Sequence, residues 1–281
     1  MHVYKTGGGI LAVKENKAHP INGDWDELIN RDGLHEHLQQ QIKGSKSITD
    51  DEWKSILSKD LQAPIGNQEI WAAGVTYLRS RDARMEESKD KGGADCYQRV
   101  YDADRPELFF KAAAHRVAAP NTDVYIRKDS TWNVPEPELT LFISTSGKIQ
   151  GYTVGNDMSS RSIEGDNPLY LPQAKMYERC AAIGPCIYVP STPIDPSTKI
   201  ILVIARGNKE VFKGSVAIDR MKRQLPELAG WLYKECTFRY GAFLMTGTGL
   251  VPPDDFTLQP GDQVSITIEN IGTLVNTVAV Q

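Results

Sequence analysis

Asn133-Val134-Pro135-Glu136-Pro137-Glu138-Leu139-Thr140-Leu141-Phe142-Ile143 opens on two carboxylates one residue apart and runs straight into an apolar strand. Side chains at i and i+2 of a strand share a face, so Glu136 and Glu138 project together. Pro135 and Pro137 withhold two backbone donors, which places the pair at the free start or edge of a strand and not in mid-ladder. Two like charges held side by side repel, and burying them unpaired is expensive. A divalent cation is one remedy. An acidic strand start left in water is the other.

Just beyond, Thr145-Ser146-Gly147-Lys148 is a hairpin signal, and Ile149–Val154 returns antiparallel to deliver Gly155-Asn156-Asp157. In one register that return sets Asp157 beside Glu136 and Glu138; in another, Asp157 merely caps the turn Met158–Ile163. Three carboxylates with no histidine or thiolate nearby in sequence suit a hard, oxygen-seeking ion: Mg²⁺, Mn²⁺ or Ca²⁺.

The 281 residues are 40% hydrophobic and 24% charged, enough for a large core in one domain or in a large domain with a smaller appendage. A net charge of −4 with scattered basic residues offers no footprint for nucleic acid. No apolar run approaches the roughly 18 residues of a membrane span, and Met1–Thr6 lacks the layout of a signal peptide. Cys96, Cys180, Cys186 and Cys236 show no zinc-type spacing and read as reduced thiols of a cytoplasmic protein. Gly184-Pro185 places Cys180 and Cys186 on neighbouring segments of a turn. His35 and His37, two apart in a helical pattern, face different ways and read as surface residues.

Residues 1–64 read as a small N-terminal α/β unit. It has a strand at Ile10–Val13, helical patterns at Trp25–Asn30 and Leu34–Ile42, and a helix capped by Thr49-Asp50-Asp51-Glu52. Ala63-Pro64-Ile65-Gly66 links it to the larger part, 65–281. There Ile70–Val75 is a strand, and Leu78–Arg105 is a charged excursion broken by Gly92-Gly93, either a lid or a plain surface loop. Lys199–Ala205 and Glu210–Val216 make a hairpin, Leu225–Leu232 a helix, and Val264, Ile266 and Ile268 alternate as a half-buried strand. Thr246-Gly247-Thr248-Gly249, after the strand Phe243–Met245, offers backbone N–H groups and a hydroxyl, for a carboxylate or for a tight turn. The fold class is α+β and mostly β, with a roll of short strands in the larger part.

From Trp71-Ala72-Ala73-Gly74 through Ile271-Gly272-Thr273-Leu274 the chain resembles the fumarylacetoacetate hydrolase superfamily. The anchors are Glu136/Glu138, Gly155-Asn156-Asp157 with Ser160-Arg161, and the Thr246–Gly249 loop. It is most similar to the 2-keto-3-deoxy-D-arabinonate dehydratase branch. The matching phrases are Gly74-Val75-Thr76-Tyr77 with Arg81, Arg105-Pro106-Glu107-Leu108-Phe109-Phe110-Lys111-Ala112, and Asn167-Pro168-Leu169-Tyr170-Leu171-Pro172-Gln173-Ala174-Lys175. The resemblance implies a mixed β-sandwich roll with a small N-terminal domain, a homo-oligomer (dimer or tetramer), and Mg²⁺ on Glu136, Glu138 and Asp157 with Lys175 beside a 2-keto acid substrate.

Those residue types imply a chemistry. A metal polarises the ketone and stabilises an enolate as the C3 proton leaves. Lys175, with a pKa lowered by the metal, is then the base or the enolate's partner. Glu107 is the acid/base for the departing hydroxyl. Thr248 and Gly247 hold the substrate carboxylate, and Arg81 on the lid stem closes onto it or forms a lid salt bridge. The expected reaction is Mg²⁺-dependent dehydration of a 2-keto-3-deoxy sugar acid, as from 2-keto-3-deoxy-D-arabinonate to 2,5-dioxopentanoate. Hydrolases of the superfamily carry a water-activating histidine in the lid. Leu78–Arg105 has none, Ser80 stands near its place, and His115 lies past the strand; Glu86 or Glu87 is left as a substitute, so the exclusion is not complete. An acylpyruvate-type hydrolase or oxaloacetate-type decarboxylase on the same site is the first alternative, and a non-catalytic 2-keto acid binding protein the second.

Overall fold

The computed structural model describes residues 1–87 and 94–281. The chain opens with an antiparallel meander, β1 (His2–Thr6), β2 (Gly9–Lys14) and β3 (Lys17–Ile21). Three helices follow, α1 (Trp25–Ile29), α2 (Leu34–Ile42) and α3 (Asp50–Asp60). Asp24 caps the first by accepting from the Asp26 and Glu27 N–H groups, and Thr49 caps the third by accepting from Glu52. These side chains satisfy donors that a helix start otherwise leaves bare.

The charged excursion after β4 (Glu69–Gly74) is helical at both described ends, α4 (Leu78–Glu87) and α5 (Ala94–Asp102). Its Gly92-Gly93 break and the side chains of Glu86 and Glu87 lie outside the described residues. Then come β5 (Glu107–Ala113), β6 (Val117–Ala118), β7 (Asp123–Ile126), β8 (Asn133–Ile143) and β9 (Ile149–Ser160). Two short helices, α6 (Arg161–Asp166) and α7 (Leu171–Lys175), lead to β10 (Ala181–Tyr188), β11 (Lys199–Arg206) and β12 (Lys209–Ala217). The chain ends with α8 (Leu225–Leu232), β13 (Ala242–Met245), β14 (Gln263–Ile268) and β15 (Gly272–Val280).

The strands form two mixed sheets. One has ten strands in the order β3-β2-β1-β10-β9-β8-β13-β4-β5, with β6 also on β10; the other has five, β12-β11-β14-β15-β7. β8 is buried along its whole length, and its alternate residues enter two different cores. Leu139, Leu141 and Ile143 share a core with residues of the five-stranded sheet such as Leu202, Ile204 and Val264, whereas Phe142 packs with Phe243, Ile183 and the N-terminal Ile10, Trp25 and Leu34. Residues 2–21 extend the larger sheet directly, because β1 pairs with β10 at His2↔Tyr188 and Val3↔Ile187.

Pro135 and Pro137 sit where their missing donors do no harm. β13 pairs with β8 only from Thr140 to Ile143, so the first half of β8 has β9 on one side alone. The turn expected between Cys180 and Cys186 is corrected. Gly184 and Pro185 lie inside β10, at a break in its register with β9 between Gly184 and Tyr188. A strand tolerates proline at such an irregularity. Cys180 and Cys186 are buried free thiols.

Candidate active site

The register of β8 on β9 decides the first question. Glu136 faces Asp157 and Glu138 faces Gly155, so all three acidic groups fall on one face. One carboxylate oxygen from each of Glu136, Glu138 and Asp157 lies within 4.8 Å of the others. All three are buried. The donor set is oxygen alone, which fits a hard dication.

Each carboxylate is held by a donor from another element. Glu136 accepts from Arg161 at 2.7 Å and from Lys175 at 2.6 Å. Asp157 faces Lys111 at 2.6 Å through Oδ1 and Lys175 at 3.0 Å through Oδ2. Glu138 accepts the backbone N–H of Gly247 at 2.6 Å. Burial, with Asp157 and Glu136 alongside, pushes the Glu138 carboxyl well above the ordinary carboxylate range. A cation between the three would relieve that.

Lys175, the last residue of α7, is fully buried and donates to Glu136, Asp157 and the Ser159 hydroxyl. Burial does oppose its charge, but Asp157, Glu136 and Glu164 outweigh it and hold the ammonium above its ordinary value.

Glu107 begins β5 opposite Gly74 of β4. A Cβ at Gly74 would stand 1.8 Å from Glu107 Oε2, so the glycine makes room for this carboxyl. Burial raises the Glu107 pKa against the opposing pull of Arg84. Arg84 of α4 also pairs with Glu164 of α6, which Arg161 approaches at 3.5 Å.

Other candidates fall differently. Arg81 pairs with Asp82 at 2.6 Å and lies over the Tyr101 ring; the arginine of α4 that lies among the carboxylates is Arg84. Gly247 spends its N–H on Glu138. The Thr248 hydroxyl donates to the Leu250 carbonyl and accepts the Leu250 N–H, so it is turned into its own loop. Ser80 bonds to the backbone of Tyr77, and His115 is exposed. A cleft of about 800 Å³ between Gln150, Tyr152, Ile194, Met221 and Ala229 contains none of these groups.

Arg84, Lys111, Ser159 and Glu164 were not singled out by sequence reasoning. Lys111 alone left a signal, a lysine inside the apolar run Leu108-Phe109-Phe110-Lys111-Ala112-Ala113, where a charged residue is rarely buried without partners.

Residues 70–279 match the model of the fumarylacetoacetate (FAA) hydrolase C-terminal family. The chain belongs to the fumarylacetoacetate hydrolase family. Its two-sheet, mostly β fold is that of its structural neighbours in the family. A probable 2-keto-3-deoxyxylonate dehydratase of Haloferax volcanii is 45% identical over 244 residues, 86% of this chain and 82% of the relative. The 2-dehydro-3-deoxy-D-arabinonate dehydratase of Saccharolobus solfataricus is 42% identical over 217 residues, 76% of this chain and 73% of the relative. A solved 2-keto-3-deoxy-D-arabinonate dehydratase complexed with magnesium and 2,5-dioxopentanoate is similar with a TM-score of 0.84 at 32% identity, covering 100% of this chain and 98% of that one.

Proposed function

We propose that this member of the fumarylacetoacetate hydrolase family is a Mg²⁺-dependent hydro-lyase acting on a 2-keto-3-deoxy sugar acid, such as 2-keto-3-deoxy-D-arabinonate, to give 2,5-dioxopentanoate. The observation that carries the reading is the buried Glu136/Glu138/Asp157 cluster with Lys175 bonded to two of its members.

Glu136, Glu138 and Asp157 are the residues we assign to the ion. When bound, magnesium supplies a Lewis acid that polarises a 2-oxo group. We assign Lys175 to the C3 proton: a cation held by the same carboxylates would offset the charge that keeps this lysine an ammonium, so that the neutral amine takes that proton. Glu107, whose buried carboxyl is biased toward its protonated form, is the acid for the departing 4-hydroxyl, because a neutral carboxyl has a proton to give. Arg84 neutralises Glu164 beside it. The Thr246–Gly249 loop is our assignment for the substrate carboxylate, with Thr248 acting through its backbone and Arg84 taking the part first given to Arg81.

No histidine stands in this pocket among the described residues, so carbon–carbon hydrolysis lacks its usual base; dehydration asks only for the groups present. Incubation of the Mg²⁺-loaded protein with 2-keto-3-deoxy-D-arabinonate should release 2,5-dioxopentanoate, read by NMR, and Glu138→Gln should abolish both turnover and Mn²⁺ binding. Release of pyruvate or CO₂ in its place, or full turnover after exhaustive EDTA treatment, would overturn the assignment.

We further propose a dimer or tetramer, checked by light scattering, and a cytoplasmic setting, which the four free thiols favour. Residues 1–64 would be a small unit docked on a catalytic domain of 65–281, with 78–105 as its lid.

A further inference from the structure

Lys111 is used by no step above, yet it lies at the centre of the pocket's scaffold. β5 is the last strand in the order of the larger sheet, and β9 lies four places away. The chain nevertheless passes from β5 through a single 3-10 turn, Ala114–Arg116, into β6, which pairs with β10 at Val117↔Ala181 and Ala118↔Ala182. The sheet therefore rolls back on itself, and β5 meets β9 and β10 across a seam. Lys111 sits on that seam with no exposed surface.

Its ammonium has three donors and three acceptors. Asp157 Oδ1 is 2.6 Å away, the Met158 carbonyl 2.9 Å and the Lys175 carbonyl 2.5 Å. Among the described residues, two of these acceptors have no other regular partner to turn to. The Met158 carbonyl lies just past Asp157↔Ala181, where the β9–β10 ladder ends. The Lys175 carbonyl ends α7, where helix carbonyls lose their intrahelical donors. The Lys111 carbonyl in turn accepts from the Cys180 thiol. One side chain thus ties the outer oxygen of a carboxylate to the backbone from which Lys175 hangs.

We propose that Lys111 is a positioning residue for this reaction: it fixes Asp157 and Lys175 relative to each other, so that the three carboxylates stay gathered for a divalent cation. The two lysines divide the work. Lys175 occupies Asp157 Oδ2 and faces Glu136; Lys111 occupies Oδ1 and faces away, towards the backbone. Remove Lys111, and Lys175 becomes the sole lysine on Asp157, free to draw both its oxygens onto itself and out of the cluster. A guanidinium does not replace Lys111, because its donors lie in one plane whereas these acceptors come from two elements and a side chain.

The inference rests on the reading of Glu136, Glu138 and Asp157 as an ion site, and the test separates the two. Mn²⁺ is titrated into metal-free wild-type protein and into Lys111→Met, which keeps most of the aliphatic stem, with kcat and KM measured on the same preparations. Loss of a partner that orients a metal ligand weakens binding about 10- to 100-fold. We expect a weakening of that size in Lys111→Met, a comparable fall in kcat, KM within about threefold, and no rescue in Lys111→Arg. Wild-type protein that fails to bind Mn²⁺ sinks the ion site itself. Wild-type binding matched within threefold by Lys111→Met, or restored by Lys111→Arg, sinks the role of Lys111 alone. Should Lys111→Met not fold, the same titration on Lys111→Gln decides.

Discussion

Gly247 donates its backbone N–H to Glu138 Oε2 at 2.6 Å from a backbone φ of +93°. A side chain at that φ is strained, and a Cβ there would lie 2.0 Å from Thr76 Oγ1 and 2.9 Å from the Ala73 carbonyl. Thr76 is not free to move, because its hydroxyl donates to the Thr246 carbonyl at 2.7 Å. Gly247→Ala should therefore destabilise the protein by about 2–4 kcal/mol, from backbone strain and steric clash together. It should also weaken Mn²⁺ binding, since Glu138 loses its anchor. Urea unfolding and metal titration on the same variant would check both.

The two arginines of α4, Arg81 and Arg84, should behave oppositely. Arg81 is paired with Asp82 at the surface, where an ion pair is worth about 0–1 kcal/mol. Arg81→Met is expected to change kcat/KM by no more than about threefold. Arg84 is buried on Glu164, and breaking such a pair strands a carboxylate, at about 3–5 kcal/mol. Arg84→Met should lower both the melting temperature and kcat, with the pH profile of the rate displaced because Glu107 loses the cation that opposes its protonation. Equal behaviour of the two variants would contradict the placement.

A pH dependence follows from Asp32. It accepts from Lys148 at 2.7 Å, Ser146 at 2.6 Å and Ser144 at 2.7 Å, tying the segment between α1 and α2 to the β8–β9 turn. Those bonds hold its pKa down to about 2 from the ordinary 3.8. A depressed carboxylate stabilises the fold above its unfolded pKa, and the contribution fades as pH falls through the folded one. Asp32→Asn should thus cost stability at neutral pH, and the gap from wild type should close between about pH 4 and pH 2. With the side chain 39% exposed, the neutral-pH difference should stay at or below about 1 kcal/mol. Urea midpoints across that range measure it.

Thiol reactivity gives a fourth check. Cys96 and Cys236 are exposed, while Cys180 and Cys186 are buried, and burial pushes the Cys186 thiol up to about 12. The thiolate is the reactive form. Ellman's reagent should titrate two thiols in the native protein and all four in denaturant. Rapid titration of all four without denaturant would refute the packing of β10.

The carboxylate cluster was legible because two local rules converge on it. The i, i+2 spacing of Glu136 and Glu138 sets a common face, and the hairpin at Thr145–Lys148 brings Asp157 back beside them. Both rules act within 22 residues, from 136 to 157. Lys175 entered only through family resemblance, since no periodicity marks a lysine at the end of α7 as buried. Arg84, Lys111 and Glu164 stayed hidden because their partners lie on other elements, and long-range docking leaves no spacing in the chain. The Cys180–Cys186 segment misled because Gly-Pro favours a turn locally, whereas pairing with β9 draws it into the sheet with a break in register. The pairing of β1 with β10 is likewise non-local, and a sequence that suggests an N-terminal unit does not disclose that its strands continue the larger sheet.

The rolling of β5 back toward β9 ties activity to a strand at the margin of the larger sheet. Glu107 and Lys111 both ride on a strand that has a neighbour on only one flank of its sheet. Mild denaturant that peels this margin away will silence the enzyme while most of the chain still gives the circular dichroism of an intact protein.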